Sequence, residues 1–198
     1  MFIKICGLRH AGSIEAAIKA GADALGFVFT ESIRQVTPRQ AALLASRIPE
    51  RVLRVAVMRK PDLELWREVE LIFCPDVVQT DAADFSYLEV PADIKRWPVI
   101  RAGSADEAIM PDTFVYEGQA SGQGEAVDWQ VAAGLAKKGR MILAGGLTPE
   151  NVAEAIATVA PFGVDVSSAV ESSPGIKDPE LIARFIAAAR ATEQGAAT

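Results

Sequence analysis

The chain has 198 residues, half of them hydrophobic, and its 20 basic and 26 acidic side chains give a formal charge of −6. This length allows one domain, and the high apolar fraction excludes a disordered chain. The acidic balance argues against nucleic acid or an anionic membrane as the main partner, but it allows one small phosphorylated ligand held by backbone N–H groups.

Short apolar runs alternate with helix-patterned segments along the whole chain. The predicted strands are 2–5, 25–29, 52–58, 77–79, 99–101, 113–116, 141–144 and 164–166. The predicted helices are 13–20, 38–48, 61–72, 83–90, 104–109, 128–136, 149–159 and 179–191, and residues 192–198 are expected to form a frayed tail. Eight strand–helix repeats favour an α/β fold, a (β/α)8 TIM barrel with a closed parallel sheet, over an open doubly wound sheet. Residues 1–198 are therefore expected to form a single barrel domain.

Cysteine and histidine are scarce: the chain has Cys6, Cys74 and His10. Two thiols exclude a disulfide framework or a four-thiolate zinc site, and one histidine excludes a histidine-rich metal site, so we expect no metal. Acid–base chemistry must then rest mainly on carboxylates, a thiol or a lysine. The start of the chain does not have the pattern of a signal peptide, and no apolar stretch reaches 18 residues. We therefore expect a cytoplasmic protein without a membrane partner.

The active face of such a barrel lies at the carboxyl ends of the strands. Several polar residues follow strand ends in this sequence, namely Cys6, Arg34, Gln79, Asp81, Arg101, Glu117, the pair Gly145–Gly146 and the pair Ser167–Ser168. This set contains a base, an acid, a cation and two places where an anion can bind. The combination predicts an active site rather than a buried structural position.

Cys6 has two interpretations. A free cysteine is most often a small buried hydrophobe, and the sequence leaves this interpretation open. A functional thiolate needs a cation nearby, and Lys4 lies two residues earlier on the same face of the strand, with Arg9 close in sequence. Cys74 precedes Pro75 at the end of a predicted helix, which indicates packing or a surface position.

Two loops near the end of the chain predict a phosphate site. Gly145–Gly146 follows the seventh strand, and glycines let the backbone approach a ligand with its N–H groups available to an anion. Ser167–Ser168 follows the eighth strand, and the loops after strands seven and eight often hold a phosphate in barrels of this type. Either motif alone is a weak signal, but the two in order predict phosphate binding.

Glu117 lies at the root of a glycine-rich loop, residues 118–125. It is either a solvated carboxylate at a strand end or a general acid across the barrel mouth from Cys6, with the loop acting as a lid. The loop composition does not decide between these interpretations.

The chain resembles the phosphoribosylanthranilate isomerase family. The segments that carry the resemblance are KICGL (4–8), AGADALGFVF (20–29), SIRQV (32–36), AGGLTPENV (144–152) and GVDVSS (163–168). The resemblance extends from Phe2 to about the final helix. It implies a (β/α)8 enzyme of tryptophan biosynthesis that converts N-(5-phosphoribosyl)anthranilate to 1-(2-carboxyphenylamino)-1-deoxyribulose 5-phosphate by an Amadori rearrangement. This aldose–ketose isomerisation, an intramolecular oxidoreduction, would need no cofactor and no metal.

The resemblance also implies roles for individual residues. Cys6 matches the general base, Glu117 occupies the position of the general acid, and Arg34 matches the arginine that binds the anthranilate carboxylate. The other expected contacts are Gln79 and Asp81 for substrate, and Gly145, Gly146, Ser167, Ser168 and Ala169 for phosphate. The implied partner is a small phosphorylated sugar substrate, and the protein is expected to be a monomer or a homodimer.

Four positions depart from the family pattern. Glu117 replaces an aspartate, Glu125 a common lysine, and Ala169 a common glycine, while the segment around Asp81 lacks a usual histidine. The extra methylene of glutamate displaces its carboxyl by about 1 Å, enough to cost roughly 100-fold in rate if nothing compensates. Two interpretations follow: a divergent working isomerase, or a barrel paralogue that acts on, or only binds, another phosphorylated sugar.

Overall fold

The structure, a computed structural model, describes residues 1–103, 111–119 and 127–195. The predicted helix 104–109 and Glu125 lie outside these residues. The parallel strands of the main sheet are β1 Phe2–Cys6, β2 Ala24–Val28, β3 Leu53–Val57, β4 Val77–Asp81, β5 Lys95–Arg101, β6 Thr113–Glu117, β7 Arg140–Leu143 and β8 Gly163–Val166. They close into a barrel in chain order, with β8 paired to β1. The predicted (β/α)8 TIM barrel is confirmed.

The strands form because both of their faces are buried. Residues 3–6 of β1 and all of β8 are buried, as expected for a parallel sheet covered by helices. One apolar cluster lies between the strands and helices, and a smaller one fills the barrel interior with residues from several strands: Ala24, Val55, Val77, Trp97, Val99, Val115, Ile142 and Ala144. Polar groups that point inward above this smaller cluster therefore face the carboxyl end of the barrel.

The α-helices are α1 Ala11–Ala20, α2 Pro38–Ala45, α3 Leu63–Glu68, α4 Trp129–Ala136, α5 Val152–Val159 and α6 Pro179–Gly195, and α3 continues as a π-helical segment, Val69–Phe73. Polar side chains close in sequence cap the N-termini of several of these helices. Thr37 and Gln40 form a capping box at α2, and the carboxylates of Asp62 and Asp128 accept the first free N–H groups of α3 and α4. Among the described residues, no helix is both long and apolar enough to cross a bilayer.

The prediction of a helix over 83–90 is wrong. A short 3₁₀ helix, Ala82–Ser86, follows β4 instead. The Asp84 carboxylate accepts hydrogen bonds from Thr80 Oγ1 and from the N–H of Lys60, 2.9 Å away. These side-chain bonds hold a tight turn in place of a regular helix.

The segment after β8 is also more elaborate than the predicted single helix. A 3₁₀ turn, Ser168–Val170, leads into a hairpin of β9 Glu171–Ser173 and β10 Ile176–Lys177, and only then does α6 begin. The hairpin directs side chains back toward the mouth of the barrel.

The predicted frayed tail begins too early. Helix α6 continues to Gly195, so residues 192–195 are helical. The hydroxyl of Thr192 donates to the carbonyl of Ala189 at 2.7 Å, and the terminal amino group of Met1 pairs with the Glu193 carboxylate. The first bond lies within the helix, and the second ties the helix to the start of the chain.

Candidate active site

A pocket opens at the carboxyl end of the barrel. Its lining includes most of the residues selected from the sequence: Cys6, Arg34, Gln79, Arg101, Glu117, Gly145, Gly146, Ser167 and Ser168. Asp81 and Ala169 lie outside the lining. The residues selected because they follow strand ends therefore contribute a thiol, a carboxylate, two guanidinium groups and two polar loops to one cavity.

The Cys6 thiol lies above a buried ion pair. Phe2, Lys4 and Cys6 alternate along β1 and point into the barrel, and Lys4 is paired in register with Asp165 on β8. Lys4 is fully buried, and its Nζ donates to Asp165 Oδ1 at 2.9 Å. Burial opposes the charge on Lys4, but Asp165 and the Cys6 sulfur together outweigh burial and raise the pKa of the ammonium group. The lysine is thus held as a cation inside the barrel.

The pKa of the Cys6 thiol lies above its ordinary value as the net result of opposing effects. Burial raises the pKa of the Cys6 thiol, Lys4 and Lys177 oppose that rise, and Asp165 adds to it. Gly26 on β2 leaves room for this arrangement, because a Cβ there would lie 3.0 Å from Cys6 Sγ and 3.2 Å from Lys4 Cε. The thiol and the lysine stem therefore occupy the same small space beside β2.

Arg34 is fixed by a residue that the sequence reasoning missed. Its Nε and Nη2 donate to the two carboxylate oxygens of Glu171 at 2.7 and 2.9 Å, a bidentate ion pair between groups 137 residues apart. The Glu171 carboxylate also accepts from Lys177 Nζ at 2.7 Å and from the N–H of Gly175 at 3.0 Å. Burial opposes ionisation of Glu171, but these hydrogen bonds outweigh it and lower its pKa to about 2. The hairpin β9–β10 thus supplies the support for Arg34.

Lys177 joins this network to the second phosphate motif. It is buried, and its Nζ donates to the carbonyl oxygen of Ser167 at 2.8 Å and to Ser167 Oγ at 3.2 Å. Ser167 Oγ donates in turn to the carbonyl of Cys6 at 3.1 Å. The sequence analysis did not select Glu171, Lys177 or Asp165 as site residues, because their partners are distant in the chain or depend on the hairpin turn.

Gly7 is required by the packing of Arg34. Its φ of +78° lies in the left-handed region, which favours glycine. A Cβ at this position would lie 2.5 Å from Arg34 Cδ and 3.2 Å from Ser167 Oγ. The glycine that follows Cys6 therefore lets the arginine cross the barrel mouth.

Glu117 and Asp81 share one arginine. Arg101 donates from Nη1 to Glu117 Oε1 at 2.7 Å and from Nη2 to Asp81 Oδ1 at 2.5 Å. Arg59 Nε lies 3.5 Å from Asp81 Oδ2. The Asp81 carboxylate is turned toward these two cations, while Glu117 remains in the pocket lining.

Gln79 carries an unsatisfied acceptor. It is buried, it lines the pocket, and within the described part of the chain its Oε1 is the buried side-chain oxygen or nitrogen without a hydrogen-bond partner. An unpaired buried oxygen is costly, so a donor on a bound ligand would satisfy it. This observation favours the predicted substrate contact.

The Gly145–Gly146 loop has a backbone conformation that favours glycine at both positions. Both glycines have positive φ, +89° and +66°. Asn151 fixes the loop, because its Nδ2 donates to the carbonyl of Gly146 at 2.8 Å and its Oδ1 accepts from the N–H of Thr148 at 2.8 Å. The same bonds replace the first turn of the helix predicted from residue 149, which explains why α5 begins at Val152.

Metal binding has no candidate cluster in residues 1–103, 111–119 and 127–195. No three histidine, cysteine, aspartate or glutamate side chains are grouped there in a way that could hold an ion.

Comparison with protein families gives one match over nearly the whole chain. Residues 3–188 match the family described as N-(5'-phosphoribosyl)anthranilate (PRA) isomerase. The N-(5'-phosphoribosyl)anthranilate isomerase of Pelobacter propionicus is 37% identical, over 96% of both chains. The enzyme of the same name from Pseudomonas fluorescens is 41% identical, over 94% of this chain and 97% of the relative.

Several solved structures are similar to this chain over nearly its whole length. TrpF from Jonesia denitrificans superposes with a TM-score of 0.81 at 33% identity and covers 98% of each chain. Phosphoribosyl anthranilate isomerase from Thermus thermophilus superposes with a TM-score of 0.82 at 28% identity, over 96% of this chain and 99% of that one. A further structure, with a TM-score of 0.77 at 28% identity, is a phosphoribosyl anthranilate isomerase in complex with reduced 1-(o-carboxyphenylamino)-1-deoxyribulose 5-phosphate, and it covers 96% of this chain and 99% of its own.

Proposed function

This chain belongs to the N-(5'-phosphoribosyl)anthranilate isomerase family, and we propose that its barrel mouth carries out the isomerisation with Cys6 as general base and Glu117 as general acid. The protein is an isomerase of tryptophan biosynthesis. The observation that carries the assignment of residues is their convergence: Cys6, Glu117 and Arg34 line one pocket together with the Gly145–Gly146 loop.

The substrate is held at its two charged ends. Arg34, presented rigidly by Glu171, receives the anthranilate carboxylate, because a guanidinium fork matches a carboxylate. The phosphate binds to backbone N–H groups of Gly145–Gly146 and Ser167–Ser168, whose loops follow neighbouring strands. Gln79 Oε1 accepts a hydrogen bond from a sugar hydroxyl between these ends.

The chemistry is then an internal transfer of hydrogen. Glu117 donates a proton to the ribose ring oxygen, the C1–oxygen bond breaks, and the nitrogen lone pair forms the C1=N bond of a Schiff base. The Cys6 thiolate removes the C2 proton, and the C2–H electrons form an enolamine. Loss of the hydroxyl proton at C2 and protonation of C1 give the aminoketose. C2 is oxidised, C1 is reduced, and no external electron acceptor is needed.

Arg101 restrains the longer side chain of Glu117 at the wall of the pocket. Its carboxylate accepts from Arg101 at 2.7 Å, so the extra methylene does not leave it unrestrained. A paralogue specific for another phosphorylated sugar would be expected if Asp81 faced the aromatic carboxylate. Asp81 itself does not line the pocket, and its carboxylate forms ion pairs with Arg101 and Arg59, which do line it. The negative charge of Asp81 is therefore compensated there, which supports anthranilate as the bound group.

We extend the proposal to the whole protein as follows. Residues 1–198 form one catalytic domain that works without cofactor or metal. The enzyme acts in the cytoplasm on a small phosphorylated sugar substrate, as a monomer or a homodimer, and without nucleic acid as partner. One family member, from Thermotoga maritima, is described both as dimeric and as generated monomers.

The direct test follows the fluorescence of N-(5'-phosphoribosyl)anthranilate with purified protein. We expect the signal to change far faster than in the uncatalysed reaction. An unchanged rate, with the protein folded, would overturn the proposal.

Two pairs of variants test the assigned residues. Cys6→Ser should lower kcat by at least about 100-fold while substrate still binds, and Cys74→Ser, at an exposed cysteine, should leave kcat unchanged. Glu117→Gln should lower kcat similarly, and Glu68→Gln on the exposed side of α3 is its control. Full turnover in Cys6→Ser or in Glu117→Gln would remove that residue from the mechanism.

A further inference from the structure

The Lys4–Asp165 pair has no role in the steps given above, although it lies in the barrel interior next to Cys6. Both residues are buried, Lys4 fully and Asp165 to all but 8% of its surface. Desolvating two charges is expensive, and replacing such a pair by apolar residues is often neutral or stabilising. Folding alone therefore gives little reason for an ion pair at this position.

Charged groups face Cys6 from four elements: Lys4 on β1, Asp165 on β8, Lys177 on β10 and Arg34 in the loop after β2. Lys177 and Arg34 both donate to the single carboxylate of Glu171, at 2.7 Å each, so their charged ends are directed at that residue rather than at the sulfur. Lys4 shares the inward face of β1 with Cys6, and its stem lies beside the sulfur at Gly26. The ammonium of Lys4 is therefore the cation best placed to stabilise a thiolate.

We propose that Lys4 is a positioning residue for the reaction: its buried ammonium group, held in place by Asp165, stabilises the Cys6 thiolate. This inference rests on the proposed role of Cys6 as the base. The thiol releases its proton to solvent, the negative charge forms beside the Lys4 ammonium, and the thiolate then accepts the C2 proton of the sugar. Asp165 fixes the ammonium and, as an anion, limits how far the thiolate is favoured.

The test measures the thiolate directly and needs no turnover. All variants carry Cys74→Ser, so that Cys6 is the remaining thiol, and the ultraviolet absorbance of the thiolate is followed against pH in the unliganded protein. Lys4→Met removes the charge from a side chain of similar length, and the midpoint of the Cys6 thiolate titration should rise by about one pH unit or more. Lys4→Arg keeps a cation and should keep the midpoint near that of the parent. Lys19→Met removes the same charge from the exposed face of α1 and should leave the midpoint unchanged.

Asp165→Asn gives a shift of opposite sign. Removal of the anion frees the ammonium for the sulfur, so the midpoint should fall. A packing defect would not move the two variants in opposite directions. If Lys4→Met does not fold, Asp165→Asn decides the question. An unchanged midpoint in either folded variant overturns the proposal.

Turnover measurements separate this inference from the proposed function. The rising limb of kcat/KM against pH should move with the thiolate midpoint in Lys4→Met. If the midpoint moves but the parent protein has no isomerase activity, the proposed function fails while the effect of Lys4 on the thiol remains. If the parent is active and the midpoint does not move, the role of Lys4 fails while the proposed function remains.

Discussion

Replacing Glu171 by glutamine should remove a part of the stability that depends on pH. The Glu171 side chain is 4% exposed and accepts hydrogen bonds from Arg34, Lys177 and Gly175. Its pKa is lowered from the ordinary 4.5 to about 2, because these donors outweigh the cost of burial. A carboxylate with a depressed pKa stabilises the folded state above its unfolded-state pKa and loses that contribution as pH falls through the folded-state value.

The size of the effect follows from these two pKa values. A fall from 4.5 to about 2 corresponds to about 3 kcal/mol of stabilisation at neutral pH. The loss begins near pH 4.5 and is complete somewhat below pH 2. At pH 3 about 2 kcal/mol should already be gone. Glu171→Gln has no group to protonate, so its stability should not contain this loss.

Urea unfolding at several pH values between 7 and 3 tests the prediction. The difference in free energy of unfolding between the parent and Glu171→Gln should shrink by about 2 kcal/mol across this range. As the control, the difference in free energy of unfolding between the parent and Glu68→Gln, at an exposed site on α3, should stay constant over the same pH range. Stability curves of the parent and Glu171→Gln that run parallel down to pH 3 would refute the assignment of the low pKa to this ion-pair network.

Three further substitutions test the walls of the pocket. Gly7→Ala should cost about 1–3 kcal/mol of unfolding free energy and raise KM, because the φ of Gly7 is +78° and the alanine Cβ would press on Arg34. Equal Tm and KM in the variant and the parent would contradict this prediction. Arg34→Lys should raise KM by about tenfold or more with a smaller change in kcat, because an ammonium group cannot make bidentate contacts with both Glu171 and the anthranilate carboxylate. An unchanged KM in steady-state kinetics would count against this prediction. Asn151→Ala should weaken protection by inorganic phosphate in thermal unfolding, because the Gly146 carbonyl loses its donor; full protection would show that the loop does not need this restraint.

Local sequence patterns were sufficient where one segment determines its own surroundings. Apolar runs buried on both faces predicted all eight barrel strands, and the confirmed barrel then placed Cys6 and Glu117 at one mouth, since parallel strands end on the same side. Boundaries shifted where contacts from outside the segment, or a side-chain turn, intervened. Strand β5 begins at Lys95 rather than 99 because its pairing with β4 carries it through Pro98. The start of α5 moved to Val152 because the turn held by Asn151 takes the place of the first helical turn.

The sequence by itself determined the barrel, the family, and the set of strand ends from which the site is built. Only the tertiary structure decided which charges meet: Lys4 with Asp165, Arg34 with Glu171, and Asp81 with Arg101. The first two pairs join residues 161 and 137 positions apart. Such pairs form only when β8 closes against β1 and the β9–β10 hairpin folds back over the mouth, so their strength depends on register and burial rather than on any local pattern.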